Sequence, residues 1–173
     1  MKNFKNKVAA ITGAGSGIGQ QLALLLAKAG CHVSLSDVNE QGLSKTVELL
    51  QGSNVRVTTK KLDVSDRLAM QAWAEETVQN HGSVNIIFNN AGVALGSTVE
   101  GASYEELEWI VGINFWGVVY GTKEFLPYIK KTGDGFIGIT PDIAEINDMR
   151  RSGLVSYEAI LEFVKLQNEI KKR

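Results

Sequence analysis

Apolar and polar positions along the chain follow two alternating periods. Val8 to Ile11 is a short apolar run of strand character. Ile18, Leu22, Leu25, Leu26 and Ala29 then recur at helical spacing. Cys31-His-Val-Ser-Leu-Ser-Asp37 alternates toward a second strand. Residues 39–51 read as a helix with Leu43, Val47 and Leu50 on one face, ended by Gly52. The run from Val55 to Asp63 reads as a third strand, more polar and therefore nearer a sheet edge. A helix at about 66–81 carries Leu68, Ala72, Trp73, Glu76 and Val78. Val84 to Gly92 reads as a fourth strand, buried on both faces and ending in small polar residues. Residues 103–126 read as one long helix, opened by the capping box Ser103-Tyr-Glu-Glu106. Leu107, Ile110, Val111, Phe115, Val118, Val119, Thr122 and Phe125 would face inward, and Pro127 and Gly133 close the segment. Phe136 to Thr140 is a fifth short strand.

Strands alternating with helices at this spacing predict an α/β fold. The expected architecture is a doubly wound parallel sheet of Rossmann type, in strand order 3-2-1-4-5, with a crevice at the switch between strands 1 and 4. Residues 1–140 would form a nucleotide-binding domain. Residues 141–173 read as an atypical C-terminal segment of the same domain. Within it 141–155 gives a weak helical signal. Residues 156–172 suggest an amphipathic helix with Tyr157, Ile160, Leu161, Val164 and Ile170 in a stripe. That helix is expected to close the sheet after its fifth strand.

Composition narrows the picture only a little. A chain of 173 residues with 44% apolar content suits one soluble globular domain. A net charge of −1 argues against nucleic acid or an anionic membrane as the main partner. The single cysteine, Cys31, cannot form an internal disulfide, which fits a reducing compartment, and it reads best as a small buried apolar residue. The N-terminal stretch has no apolar core of a signal sequence. A cytoplasmic protein is expected, and no metal-ligand set is read from the chain.

The chemistry concentrates where strands end. Gly13, Gly15, Gly17 and Gly19 separate the first strand from the first helix. Glycines let a backbone turn tightly and approach a pyrophosphate, and the helix start offers unpaired N–H groups to phosphate oxygens. A glycine-rich turn without a ligand is the alternative. Asp37 ends the second strand, where a carboxylate can accept both ribose hydroxyls of an adenosine and repel a 2′-phosphate. No Lys or Arg stands in the glycine turn, and Val38 follows the acid, so NAD is favoured over NADP. Asp37 could also cap the following helix. Asp63-Val64 could meet the exocyclic amine of an adenine, or Asp63 or Ser65 could cap the next helix. Asn89-Asn-Ala-Gly92 ends the fourth strand in small polar residues, which could serve a ligand or repair local backbone bonding. Asn114, between Ile113 and Phe115, is a polar residue expected to pair with backbone.

Taken together, Thr12-Gly-x-x-x-Gly-x-Gly19, Asp37, Asp63-Val64, Asn89-Asn-Ala-Gly92 and Asn114 resemble the classical short-chain dehydrogenase/reductase family from residue 1 to about residue 140. The resemblance implies a site for NAD(P). Gly13 to Gly19 would cradle the pyrophosphate, with Ser16 and Gly17 in the turn and Ile18 nearby. Asp37 would take the adenosine ribose, and Asp63 and Val64 the adenine. Asn90, Ala91 and Gly92 would lie against the nicotinamide ribose. Asn114 would belong to an Asn-Ser-Tyr-Lys tetrad that relays a proton during hydride transfer between nicotinamide and an alcohol or ketone.

Past Thr140 the resemblance fails. Thr140-Pro141 stands where the family has Ser-Ser. Tyr157 is the one tyrosine of the tail, and Leu161 stands where the family's lysine would follow it; Lys165 lies two helical turns on. The family's later elements are missing. A frameshift, an internal deletion, an engineered junction or a divergent relative each accounts for such a break. The expectation is an NAD-dependent oxidoreductase of this type that keeps much of its cofactor half, with Asn114 and Tyr157 as the remaining catalytic candidates and catalysis impaired. The competing reading is a non-catalytic dinucleotide-binding or interaction protein. It would form a homodimer through the helix at 103–126, with Trp109, Trp116 and Tyr120 supplying apolar area. A methyltransferase-like sheet is a third reading, which the Asn-Asn-Ala-Gly segment and Asn114 oppose.

Overall fold

The computed structural model describes residues 3–140, and the fold is that of the first of two units, Met1–Ile139. The expectations for 141–173, including Tyr157 and the closing helix, lie outside the described residues. The described residues include five strands: β1 (Val8–Thr12), β2 (His32–Asp37), β3 (Val57–Lys61), β4 (Ile86–Asn89) and β5 (Phe136–Ile139). They form one sheet in the order β3-β2-β1-β4-β5, with every pairing parallel. Between them run α1 (Gly17–Lys28), α2 (Glu40–Leu49), α3 (Arg67–His81), α4 (Tyr104–Val111) and α5 (Gly117–Thr132), with a π-helical segment, Gly112–Trp116, joining the last two.

Strand composition matches position in the sheet. β1 and β4 lie inside it and every one of their residues is buried. β3 lies at an edge and alternates half-buried Thr58 and Lys60 with exposed Thr59 and Lys61. Parallel strands need cover on both faces. Helices α1 and α2 pack on β1 and β2, while α3 and α5 pack on each other and on β3, β4 and β5. On the α3–α5 side, Val8, Ala10, Val84, Ile87, Met70, Trp73, Phe125 and Ile129 form one buried cluster. The Trp73 and Phe125 rings meet edge to face at 4.9 Å. The polar edge of Trp73 is satisfied there: Nε1 donates to Ser34 Oγ at 3.0 Å, and Ser34 Oγ lies 2.9 Å from Thr77 Oγ1. Cys31 is buried, and burial pushes its thiol up to about 12, so it stays an unreactive thiol at neutral pH.

Three sequence expectations need correction. Neither Asp37 nor Asp63 nor Ser65 caps a helix. Asn39 caps α2, accepting from Gly42 N at 3.0 Å, and Asp66 caps α3, accepting from Ala69 N at 3.0 Å. Asp37 instead folds back onto the glycine turn, and Asp63 Oδ1 accepts from Ser65 N and Oγ in a local turn. Leu68 is therefore exposed at the start of α3, while Met70, Trp73, Ala74 and Thr77 face the core.

The long helix is the second correction. It opens with the expected Ser103–Glu106 capping box, but it continues through Pro127 to Thr132, and Gly133 ends it in a left-handed turn. Pro127 is tolerated because its face is exposed while Phe125 and Ile129 anchor the same stretch in the core. The third correction concerns facing. Val111 and Phe115 point outward rather than inward. Val111 ends α4, a helix with no fully buried residue; for Phe115 the π turn adds a residue, which rotates the helical phase by about 100°. A wheel of constant period cannot follow that step.

His81 ends α3 beside β3, with Nε2 2.9 Å from Thr58 Oγ1 and Nδ1 buried without a partner among the described residues. Burial, then the charge of Arg56, then His32, lowers its affinity for a proton from the usual 6.5 to about 4. The unfolded chain therefore takes up a proton that the folded chain refuses, and stability falls as pH drops from about 6.5 to about 4. His81→Gln should flatten that part of a plot of thermal midpoint against pH. Identical slopes for the two proteins would show that His81 does not carry it.

Candidate functional site

Chain direction reverses across β1: the chain passes from β1 to β2 and β3, then crosses back to β4 on the other side. The loops leaving β1 and β4 diverge at such a switch and leave a crevice at the strand C-termini. Thr12, Asp37 and Asn89 are the last residues of β1, β2 and β4, so all three reach that rim.

Thr12 organises it. Its buried Oγ1 accepts from Asn90 N and from Ala91 N, each at 2.9 Å, and donates to Phe88 O at 3.3 Å. A hydroxyl has one proton and two lone pairs, and all three are in use. Asn90 answers from its side chain, donating Nδ2 to Thr12 O at 2.9 Å and Gly13 O at 3.3 Å. The ends of β1 and β4 are thus tied together by their own polar groups. Sequence reasoning had used Thr12 only as part of a pattern. Its signal was a hydroxyl at the last position of a strand, facing an Asn-Asn segment.

The glycine turn sits on this knot. Gly13 adopts φ +66, and a Cβ there would lie 2.9 Å from Ala91 Cα. A Cβ on Gly19 would lie 2.2 Å from the Gly13 carbonyl oxygen, so the first turn of α1 presses against the loop that precedes it. Outward, the turn is open: nothing stands within 4 Å of a Cβ built on Gly17. Ser16 occupies the cap position of α1 without a side-chain cap bond, and no acid stands in the first turn. Ile18 is half-buried beside it. First-turn N–H groups have no partner within the helix, and the positive end of the helix dipole lies here. This cradle fits a pyrophosphate.

Asp37 faces the same turn. Its Oδ2 accepts from Gly15 N at 2.8 Å and its Oδ1 from Asn39 N at 2.9 Å. Each carboxylate oxygen keeps a further lone pair, which is what two neighbouring ribose hydroxyls require. Lys61, its partner across the β2–β3 register, pairs with Glu40 at 3.1 Å. Asp63 is exposed with one oxygen held by Ser65, and Val64 is buried next to it.

On the other side of the crevice, Ala91 is half-buried and Gly92 exposed. Asn114 lies in the π-helical segment and holds the loop after β4 through both halves of its amide. Oδ1 accepts from Val93 N at 2.9 Å, and Nδ2 donates to Val93 O at 2.9 Å. The expected backbone pairing is therefore present, on a residue the sequence had not singled out, Val93. A Cβ built on Gly92 would lie 3.5 Å from Asn114 Oδ1, so this amide borders the Gly92 end of the crevice. Asn89 is buried, donates Nδ2 to Thr122 Oγ1 at 3.2 Å, and leaves Oδ1 without a partner among the described residues. The structure thus gathers Gly13, Ser16, Gly17, Ile18, Gly19, Asp37, Asn90, Ala91, Gly92 and Asn114 around one crevice, with Asp63 and Val64 at the end of the neighbouring β3.

Comparison with known proteins identifies a family with this fold. The family model described as short chain dehydrogenase matches residues 7–157. The protein named SadH of Mycobacterium tuberculosis is 46% identical over 137 residues, which are 79% of this chain and 50% of that protein. A short chain dehydrogenase/reductase from Burkholderia phymatum, solved in complex with NAD, superposes with a TM-score of 0.79 at 36% identity, covering 83% of this chain and 52% of that one. An alcohol dehydrogenase from the archaeon Thermococcus sibiricus, complexed with 5-hydroxy-NADP, gives 0.73 at 34% identity, covering 77% and 57%. The chain spans about half the length of the curated relatives it matches.

Thr12→Val keeps the shape of the side chain and removes the shared acceptor. Two backbone N–H groups at the rim lose their partner, and the unfolding free energy in urea should fall by about 2 kcal/mol. A loss under about 0.5 kcal/mol, the range of an ordinary surface change, would show that the knot is not held there.

Proposed function

The chain belongs to the short chain dehydrogenase family, and from that premise we propose that it is the NAD-binding half of an oxidoreductase acting on small alcohols or ketones. The observation that carries this reading is the glycine turn. It is closed on its inner side by contacts that exclude a Cβ at Gly13 and Gly19, and open on its outer side above Gly17 and the start of α1. Gly13, Ser16, Gly17 and Gly19 would hold the pyrophosphate through backbone N–H groups. Asp37 would accept the adenosine ribose hydroxyls, Asp63 and Val64 would border the adenine, and Asn90, Ala91 and Gly92 the nicotinamide ribose. When bound, the nicotinamide supplies a hydride donor or acceptor.

NAD is preferred over NADP in this reading. The Asp37 carboxylate sits where a 2′-phosphate would arrive, and Lys61 is already paired with Glu40. Like charges at contact distance without an offsetting cation oppose binding. Asn114, beside Gly92, remains a catalytic candidate in this reading, and Tyr157 remains one by its place in the sequence. Pro141 and Leu161 stand where the family places a hydroxyl and an ammonium, so hydride transfer is expected to be slow. Each such group contributes about 10²–10⁴-fold.

A specific observation also favours self-association. Trp109, Val111, Phe115 and Trp116 are each about half exposed on one stretch of α4 and the π segment, whereas Tyr120 packs toward the core. We propose that a second copy covers this face. Light scattering of the purified chain should give the mass of a dimer; the mass of one chain at micromolar concentration would sink the idea.

Calorimetric titration tests the cofactor reading. NADH should bind at least about tenfold more tightly than NADPH, which is about 1.4 kcal/mol, and Asp37→Ala should erase the difference. Turnover of a simple secondary alcohol should stay several powers of ten below ordinary dehydrogenase rates. Equal affinity for the two nucleotides, or ordinary turnover, would overturn the corresponding part.

A further inference from the structure

The Asp37 carboxylate is held by a peptide group, and that peptide group is itself held from behind. The unit joining Ala14 to Gly15 has its N–H 2.8 Å from Asp37 Oδ2. Its carbonyl, on the opposite edge of the same plane, lies 2.9 Å from Thr46 Oγ1 on α2. Thr46 is fully buried, and its Oγ1 also lies 2.9 Å from Gln20 Nε2 and 3.1 Å from Gly42 O. The amide of Gln20 can only donate through Nε2, so Thr46 accepts there. Its single proton is left for Ala14 O, with Gly42 O as a second, longer acceptor. The result is a chain with one direction: Gln20 N–H to Thr46 hydroxyl, Thr46 hydroxyl to the 14–15 peptide, and that peptide to the Asp37 carboxylate. Each link polarises the next.

Packing crowds this peptide on both sides. A Cβ on Gly15 would lie 2.9 Å from Asp37 Oδ2 and 3.3 Å from Gly42 C. A Cβ on Gly42 would lie 2.6 Å from the Gly15 carbonyl oxygen and 3.1 Å from Gly15 Cα. The turn is therefore sandwiched between a carboxylate on one side and the backbone of α2 on the other. Ala14 N donates to Ser36 O at 3.0 Å, fixing the preceding peptide to β2. If the 14–15 peptide flipped, its carbonyl oxygen would face the Asp37 carboxylate, and two acceptors would repel.

We infer that Thr46 and Gly42 of α2 are positioning residues for cofactor choice: they orient the 14–15 peptide, which holds Asp37 in the place that accepts a free 2′-hydroxyl and refuses a 2′-phosphate. The inference rests on the NAD reading above. It adds that discrimination belongs to a relay reaching from α1 through α2, and not to the acid alone. Neither Thr46 nor Gly42 stands on the open face of the turn, so neither needs to touch the dinucleotide.

The test measures dissociation constants of NADH and NADPH for the full chain by calorimetry. Thr46→Val removes the hydroxyl and keeps the branched shape; Thr46→Ser keeps the hydroxyl. The ratio of NADPH to NADH dissociation constants should fall at least threefold in Thr46→Val, mainly through weaker NADH binding. It should stay within twofold of the unsubstituted chain in Thr46→Ser. In an Asp37→Ala background, Thr46→Val should leave the ratio unmoved, which a merely structural role would not produce. Gly42→Ala gives an independent route, because its methyl group displaces the Gly15 carbonyl, and it should lower the ratio in the same direction. Circular dichroism of each variant identifies those that fold, and the comparison is made on them. An unsubstituted chain with no preference for NADH would overturn the cofactor reading itself. A chain that prefers NADH and loses the preference in Asp37→Ala, yet keeps it in a folded Thr46→Val or Gly42→Ala, would overturn the positioning role alone.

Discussion

The hydroxyl of Thr12 is the constraint on which the rest of the site depends. A parallel sheet offers no bonding between the loops that leave adjacent strands in opposite directions, and a crevice at a switch point would have ragged edges without an added tie. One buried oxygen, using its proton and both lone pairs, joins the end of β1 to the carbonyl of Phe88 and to the amides of Asn90 and Ala91. Asn90 closes the loop from the other side. The crevice therefore has a floor before any ligand arrives. Gly13 can lie against Ala91, and the first turn of α1 against the Gly13 carbonyl, because neither Gly13 nor Gly19 carries a Cβ.

The far wall is built differently. Where the floor uses a hydroxyl between strands, the wall uses one amide on a helix. Asn114 reaches Val93 with both ends of its side chain, which fixes the loop after β4 against α4 and α5. It does so from a π-helical turn, the one stretch of these helices with an extra residue per turn. Irregular turns of this kind commonly mark functional positions, because the widened backbone re-aims a side chain that a regular helix would direct elsewhere. The same widening leaves Phe115 and Trp116 turned to the outside, where their rings meet each other at 5.3 Å. The Asn114–Val93 bridge and the outward turn of Phe115 and Trp116 share one backbone irregularity.

Legibility followed the range of the interactions. Strands, their order and the location of the crevice were readable because burial on both faces imposes an apolar run, as in Val84 to Phe88, and because chain reversal at a switch point is a property of topology. The site residues were readable where their chemistry is local: glycines that turn, an acid that ends a strand. What stayed hidden was decided by pairs distant in sequence. Asp37 is not a helix cap because Gly15, on another segment, claims its carboxylate. Phe115 faces outward because a π turn, invisible to a constant period, intervenes. Thr46 looked like an ordinary position on α2 because its partner, the Ala14 carbonyl, is a backbone atom with no letter of its own.

These constraints bear on the energetics of binding. A flexible glycine-rich turn would lose conformational freedom on closing around a phosphate, and four glycines would make that loss large. Here the loss falls on folding instead. Gly13, Gly15 and Gly19 are each pressed by atoms from another element, and the 14–15 peptide is bonded on both edges. Only Gly17 has open space around it, and it stands at the first position of α1, where a phosphate would meet the N–H groups. Preorganisation of this sort raises affinity by lowering the ordering cost, without adding a contact. The contacts that hold the turn come from four separate elements, β1, β2, α2 and the loop after β4, so its order is a property of the sheet and not of one segment.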